Sequence, residues 1–211
     1  MSTIEIKHLT FGYDNQGTEL FSDAELTLQS EWKLGVIGRN GRGKTTLLNL
    51  LQNKLPYAGT IQHRVSFTYF PQAVTDPTQL TYYVLQELTD FEDWKIQREL
   101  NLLQLDPEIL WREFGTLSGG EQTKVLLALL FVDEVNFPLI DEPTNHLDVV
   151  ARKQVADYLK QKRQGFILVS HDRGFVDQVV DHVLSIEKSR LVLYQGNFSV
   201  YEEQKGMRDR Y

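Results

Sequence analysis

The chain has 211 residues, a net charge of −7 and no cysteine. That length fits one large domain, or one with a small subdomain, and it can bury a sizeable core without staples. The charge argues against a broad electrostatic grip on nucleic acid. The absence of thiols excludes a disulfide framework and a thiolate zinc site, and no apolar run approaches the ~20 residues that a bilayer span needs.

Ile4 and Ile6, separated by Glu5, predict a half-buried strand. The stretch Leu9-Thr-Phe-Gly-Tyr13 leads into a polar loop through Asn15 and Gly17. An aromatic such as Tyr13 on that bend could stack on a nucleobase or be an ordinary strand-edge residue, and the pattern leaves both open. Ala24, Leu26 and Leu28 alternate with Glu25, Thr27 and Gln29, a period-two strand. After the turn at Ser30-Glu31, Lys33–Ile37 reads as a buried strand, so a small antiparallel β region precedes a glycine-rich segment.

That segment, Gly38-Arg39-Asn40-Gly41-Arg42-Gly43-Lys44-Thr45-Thr46, fits G-x-x-x-x-G-K-[ST]. Glycines let successive backbone N–H groups point into one concavity and approach an anion closely. The loop opens a helix whose N-terminal amides and dipole favour phosphate. Lys44 adds a point charge for β- and γ-phosphates, and Thr45 offers a hydroxyl to Mg²⁺.

Pro56 and Gly59 break the helix behind the loop, and Thr60–His63 and Val65–Phe70 read as two strands, the second ending in Pro71-Gln72. From Thr81 the spacing turns helical over Thr81–Leu88 and Trp94–Leu105, and Asp106-Pro107 predicts the start of a third helix. Residues of about 73–135 read as a helical insertion. Ser118-x-x-Glu121 is a capping box for the apolar helix Val125–Phe131, while Gly119 and Gly120 expose amides that make a second anion site.

Phe137–Glu142 is a short apolar strand ending in two carboxylates. In an enzyme with such a phosphate loop, Asp141 would bind Mg²⁺ and Glu142 would orient or deprotonate the attacking water. Pro138 lacks the N–H of a central strand and is expected at the first strand position. A helix over Val149–Lys162, closed by Gly165, precedes the buried strand Phe166–Val169. His171 then stands at a strand's C-terminal end, where open α/β sheets place ligands. A hairpin, His182–Ile186 with Leu191–Tyr194, and a charged helix from Val200 to Tyr211 complete the chain.

In this order, Tyr13, the loop 38–45, Gln72, Leu117-Ser-Gly-Gly-Glu121, Asp141-Glu142, Leu147-Asp148 and His171 resemble the nucleotide-binding domain of ABC ATPases, over essentially the whole chain. Glu142-Pro-Thr-Asn-His-Leu-Asp148, Ser170-His-Asp-Arg-Gly-Phe-Val176 and Tyr194-Gln-Gly-Asn-Phe-Ser-Val-Tyr201 resemble the ABC-F class, soluble tandem ATPases acting on ribosomes. Leu117–Lys124 is most similar to the antibiotic-resistance, ribosome-protection branch. The resemblance implies an α/β fold, with a P-loop NTPase (RecA-like) core, an N-terminal antiparallel β subdomain and an inserted helical subdomain. It implies ATP and Mg²⁺ as cofactors. Tyr13 would stack on adenine, and Gly38, Arg39, Asn40, Gly41, Arg42, Gly43, Lys44, Thr45 and Thr46 would hold the phosphates. Thr45, Gln72 and Asp141 would lie at the metal, Glu142 would be the general base, and His171 would contact the γ-phosphate. Ser118, Gly119 and Gly120 would complete the site of an opposing domain.

By the same resemblance the chain is a single nucleotide-binding domain, residues 1–211, with residues 197–211 beginning an inter-domain linker. It would then be an N-terminal fragment, partnered by a second such domain in tandem or by its own copy, acting on the ribosome in the cytoplasm without inserting in a membrane. The alternatives are the ATPase subunit of a membrane transporter and a nucleotide-regulated interaction module that barely turns over.

Overall fold

The computed structural model describes residues 2–14, 17–38 and 41–208. Strands β1 (Thr3–Phe11), β2 (Phe21–Gln29) and β4 (Ala58–Gln62) form an antiparallel sheet ordered β2-β1-β4. A second sheet holds β3 (Lys33–Gly38), β5 (Ser66–Phe70), β6 (Asn136–Asp141), β7 (Phe166–Val169), β8 (His182–Glu187) and β9 (Arg190–Gln195). Its order is β5-β6-β7-β3-β8-β9, parallel except for β9. The helices are α1 (Gly41–Leu51), α2 (Thr81–Leu88), α3 (Asp93–Leu102), α4 (Gly119–Leu130), α5 (Val149–Gln161), α6 (Arg173–Val179) and α7 (Phe198–Arg208).

The larger sheet is buried on both faces, which is why its central strands are continuously apolar. In β7, Ile167 and Val169 join a core with the antiparallel sheet and Leu47, Leu48, Leu50 and Leu51 of α1. Phe166 and Leu168, on the other face, join a core with α4, α5 and α6. Thus α1 is held between the two sheets, and β3 delivers its end directly into that helix.

Three local expectations change. The third helix is a 3-10 turn, Pro107–Trp111, although Asp106 does cap it by accepting from the Glu108 N–H. Its continuation is tied back to the start of α2, through Thr81 N–H donating to the Arg112 carbonyl at 2.8 Å and a bridge between Leu80 and Glu113. A propagating α-helix would lose those bonds. Gly165 does not close α5 with a left-handed residue; Lys162, in extended conformation, is the C-cap. The glycine is required by close approach, since a Cβ there would lie 2.3 Å from the Ser30 carbonyl oxygen. Pro138 is the third residue of β6, not the first. Its register partner is Thr68 of β5, while pairing with β7 begins one residue later at Leu139. The missing N–H therefore falls beyond the β7 ladder.

Candidate functional site

The parallel strands β6, β7 and β3 are neighbours, and their C-terminal ends converge. From β3 the chain passes through the phosphate loop into α1, where Lys44 is 6 % exposed and Thr46 is 1 % exposed. Gly41 and Arg42 open that helix; Arg39 and Asn40 lie outside the described residues. At Gly38 a Cβ would come 3.3 Å from Ile186 Cβ on β8, so a side chain there would crowd the neighbouring strand. Tyr13 reaches the same helix, its hydroxyl 2.7 Å from Thr46 Oγ1, with its ring edge-on to Phe11. The aromatic is therefore fixed beside the loop.

Asp141, at the end of β6, accepts from Tyr69 at 2.9 Å and from Thr45 at 3.5 Å, both on Oδ2. Burial pushes its carboxyl above the ordinary aspartate value, and the adjacent Glu142 charge adds to this; the two hydroxyls and Lys44 oppose the shift. Burial, then Asp141 itself, raises the Tyr69 phenol, which stays a donor. Glu142 follows in the left-handed region at φ 54°, an uncommon conformation for a residue with a side chain, and such strain concentrates at functional sites. Its N–H continues the ladder to the Val169 carbonyl at 2.7 Å, while its Oε2 accepts from the His171 N–H at 3.2 Å. His171 Nδ1 lies against the other oxygen, Oε1. The imidazole is 75 % exposed and the carboxylate 19 %, so the histidine stands at the mouth of the site with the glutamate beneath it.

Gln72 donates from Nε2 to the Leu126 carbonyl of α4 at 3.0 Å, and its Oε1 is buried without a partner. The Thr45 hydroxyl and the Asp141 carboxylate, which meet at 3.5 Å, are hard oxygen donors of the kind Mg²⁺ prefers, so these two residues fit that ion, and the unpartnered Gln72 oxygen is a donor of the same chemistry. Ser118 caps α4 in a full capping box, accepting from Glu121 N–H at 3.1 Å while Glu121 Oε1 accepts from Ser118 N–H at 2.9 Å. Gly119 is packed against His146, where a Cβ would lie 3.0 Å from the histidine Cβ, and Gly120 faces the His146 carbonyl. Ser118, Gly119 and Gly120 do not line the cleft of about 1400 Å³ that surrounds Gly38, Gly43, Lys44 and His171. The cleft thus brings Gly38, Gly43 and Lys44 together with His171, direct contacts join Thr45 to Asp141 and Glu142 to His171, and Ser118 and the glycine pair make their contacts with Glu121 and His146.

A family model described as ABC transporter matches residues 21–145. The chain belongs to the ABC transporter family. As a member of that family it is a nucleotide-binding ATPase domain. Among curated relatives, it is 31% identical over 211 residues to ABC transporter F family member 5 of Arabidopsis thaliana, covering 96% of this chain and 30% of that protein. It is 32% identical over 199 residues to the ribosome protection protein VmlR of Bacillus subtilis, covering 93% of this chain and 34% of that protein. It is 31% identical over 217 residues to the energy-dependent translational throttle protein EttA of Mycobacterium tuberculosis, covering 96% and 38%. The chain therefore spans about a third of the length of these relatives. A bacterial Atm1-family ABC exporter, solved with ATP bound, superposes with a TM-score of 0.78 at 19% identity, over 96% of this chain and 40% of that one. That likeness concerns the fold of the ABC domain. No helix among the described residues is long and apolar enough to cross a membrane.

One contact of this ABC domain escapes sequence reading, and one expected hairpin gains a role at the cleft. Tyr69 contacts Asp141 across 72 positions, and strand alternation alone gives it no partner. The β8–β9 hairpin walls the cleft because Lys188 and Ser189 both adopt positive φ, and Ser189 is bonded to β2 by Ser22 N–H at 3.0 Å. A turn of that type is commonly signalled by Asn-Gly, which is absent here.

Proposed function

We propose that this chain is a single nucleotide-binding domain of an ABC-F protein. It binds ATP with Mg²⁺ and hydrolyses it when closed head to tail against a second such domain, on the ribosome. The observation that carries the reading is the meeting of Lys44, Thr45, Asp141, Glu142 and His171 at the ends of three adjacent parallel strands. The names of the relatives VmlR and EttA support the ribosomal part. In this reading the segment 73–135 is a helical subdomain, and residues 197–211 begin a linker.

Each role follows from chemistry. The loop amides and the α1 dipole hold the phosphates, with Tyr13 beside the base. Thr45, Asp141 and Gln72 would hold the metal, which when bound neutralises phosphate charge. Glu142 takes the proton of the attacking water, and His171, already in contact with it, orients that carboxylate and faces the γ-phosphate. Catalysis of this kind is mostly positioning and charge stabilisation. Ser118–Gly120 presents helix amides to the nucleotide of the opposing domain, which makes ATP an interface ligand.

The test is Glu142→Gln. Single-turnover ATP hydrolysis should fall by about 10²–10⁴, the range supplied by a positioned base. ATP affinity should stay within a few-fold, and size-exclusion chromatography should show an ATP-dependent pair. Unchanged hydrolysis would remove Glu142 as base. Failure of the ATP-loaded variant to sediment with ribosomes would remove the ribosomal part.

A further inference from the structure

The carboxylate of Asp141 has a broad, nearly two-fold terminal torsion, so nothing in the residue itself fixes which way its oxygens face. Something else must hold it. Tyr69 lies on β5, and the parallel register sets it opposite Leu139, two residues before Asp141 on β6. From there its ring runs along the sheet edge, and its hydroxyl ends 2.9 Å from Asp141 Oδ2. The ring is itself held, packed against the core shared with α1, with Lys54 Nζ 5.2 Å from its centroid. The Thr45 hydroxyl meets the same oxygen at 3.5 Å. Two hydroxyls, one from each side of the strand end, converge on one carboxylate oxygen. Of these, Thr45 belongs to the phosphate loop and Tyr69 is not part of any motif.

We propose that Tyr69 is a positioning residue of the ATPase site: its hydroxyl locks the Asp141 carboxylate in the orientation that brings it to Thr45, so that the two metal-binding oxygens are assembled before the metal arrives. The inference rests on the ATPase reading of the site. It concerns a residue that touches neither nucleotide nor metal and acts through Asp141. Partners of this kind typically change metal affinity 10- to 100-fold when removed.

The experiment is Tyr69→Phe, which keeps the ring and deletes one oxygen. Binding of a fluorescent ATP analogue to the chain is measured across a Mg²⁺ series and in EDTA. The expected result is EDTA affinity within about two-fold of wild type and a half-saturating Mg²⁺ concentration raised about 10-fold. In an Asp141→Asn background the same substitution should shift nothing further. An unchanged Mg²⁺ midpoint, or an equal shift in the Asp141→Asn background, overturns the proposal. Wild-type binding that ignores Mg²⁺ overturns the ATPase reading as well, so the two failures are distinguishable. A second measurement needs no variant. With ¹³Cζ-labelled tyrosine, the Tyr69 resonance of the wild-type chain should move when Mg²⁺ is added to the ADP-bound state, and a resonance that stays fixed counts against the proposal.

Discussion

Removing the charge of Glu99 should be among the most destabilising single changes available outside the nucleotide site. Glu99, on α3, is completely buried. Its Oε1 accepts from the Tyr158 hydroxyl at 2.6 Å and from Lys162 Nζ, and its Oε2 accepts from Arg98 Nε at 3.0 Å. Lys162 also sits over two rings, 5.2 Å from the Phe131 centroid and 4.6 Å from that of Tyr158. Burial drives its ammonium below the ordinary lysine value; Glu99 is the main group that opposes this, with a smaller contribution from the Glu134 charge. Glu99→Gln would leave that cation without its contacting counter-charge in an aromatic box. Breaking a buried pair costs about 3–5 kcal/mol, and the 15 % exposure of Lys162 argues for the lower end. For a chain of this size, 3 kcal/mol is about 6–12 °C in Tm. Urea unfolding followed by far-UV circular dichroism measures it. The companion variant Glu99→Leu with Lys162→Met removes this pair of charges and should recover part of the loss, since apolar replacement of a buried pair is often neutral while the buried Tyr158 hydroxyl loses its acceptor. A Glu99→Gln protein within 1 kcal/mol of wild type, or a double variant no better than the single, would refute the reasoning.

Two other outcomes follow from geometry and charge. Gly165→Ala places a methyl group 2.3 Å and 2.4 Å from two backbone carbonyl oxygens, of Ser30 and Trp32, and should cost about 3 kcal/mol by the same urea assay, with a loss below about 1 kcal/mol counting against the close approach. His8 is hydrogen-bonded to Asp23 at 2.6 Å, and that bond and the Asp23 and Glu25 charges hold its imidazole above 6.5. Its contribution is present in full below pH 6.5 and is lost as pH rises through the raised value. An NMR titration should show the elevated pKa, and Asp23→Asn should bring it down; a pKa indifferent to that change contradicts the assignment.

The phosphate loop, the strand before it, the helix after it and the cap at Ser118 were legible because each is a local pattern. An unbroken apolar run marks β7 as buried, and a glycine-rich turn between strand and helix is hard to mistake. What stayed hidden is non-local. No spacing rule pairs Tyr69 with Asp141, and none says that Glu142 would turn back at positive φ to meet His171. The 3-10 turn at Pro107 has a good α-helical start signal; it stops because residue 112 is bonded to residue 81. Gly165 reads as a helix terminator by position, but its reason is the close approach of carbonyls from the turn between β2 and β3.

The burial of α4 has a mechanical consequence. Thr123 through Leu130 are all buried, while the end at Ser118 and Gly119 is exposed. A helix gripped along most of its length bends little, so any tilt would carry it as a rod. Its 12 residues span about 18 Å. A tilt of about 5° at the gripped end therefore displaces the exposed tip by about 1.5 Å, half the length of a hydrogen bond. Gln72 is attached to the middle of that rod at Leu126. The arrangement is a lever with its load at the capping box and its short arm at the end of β5.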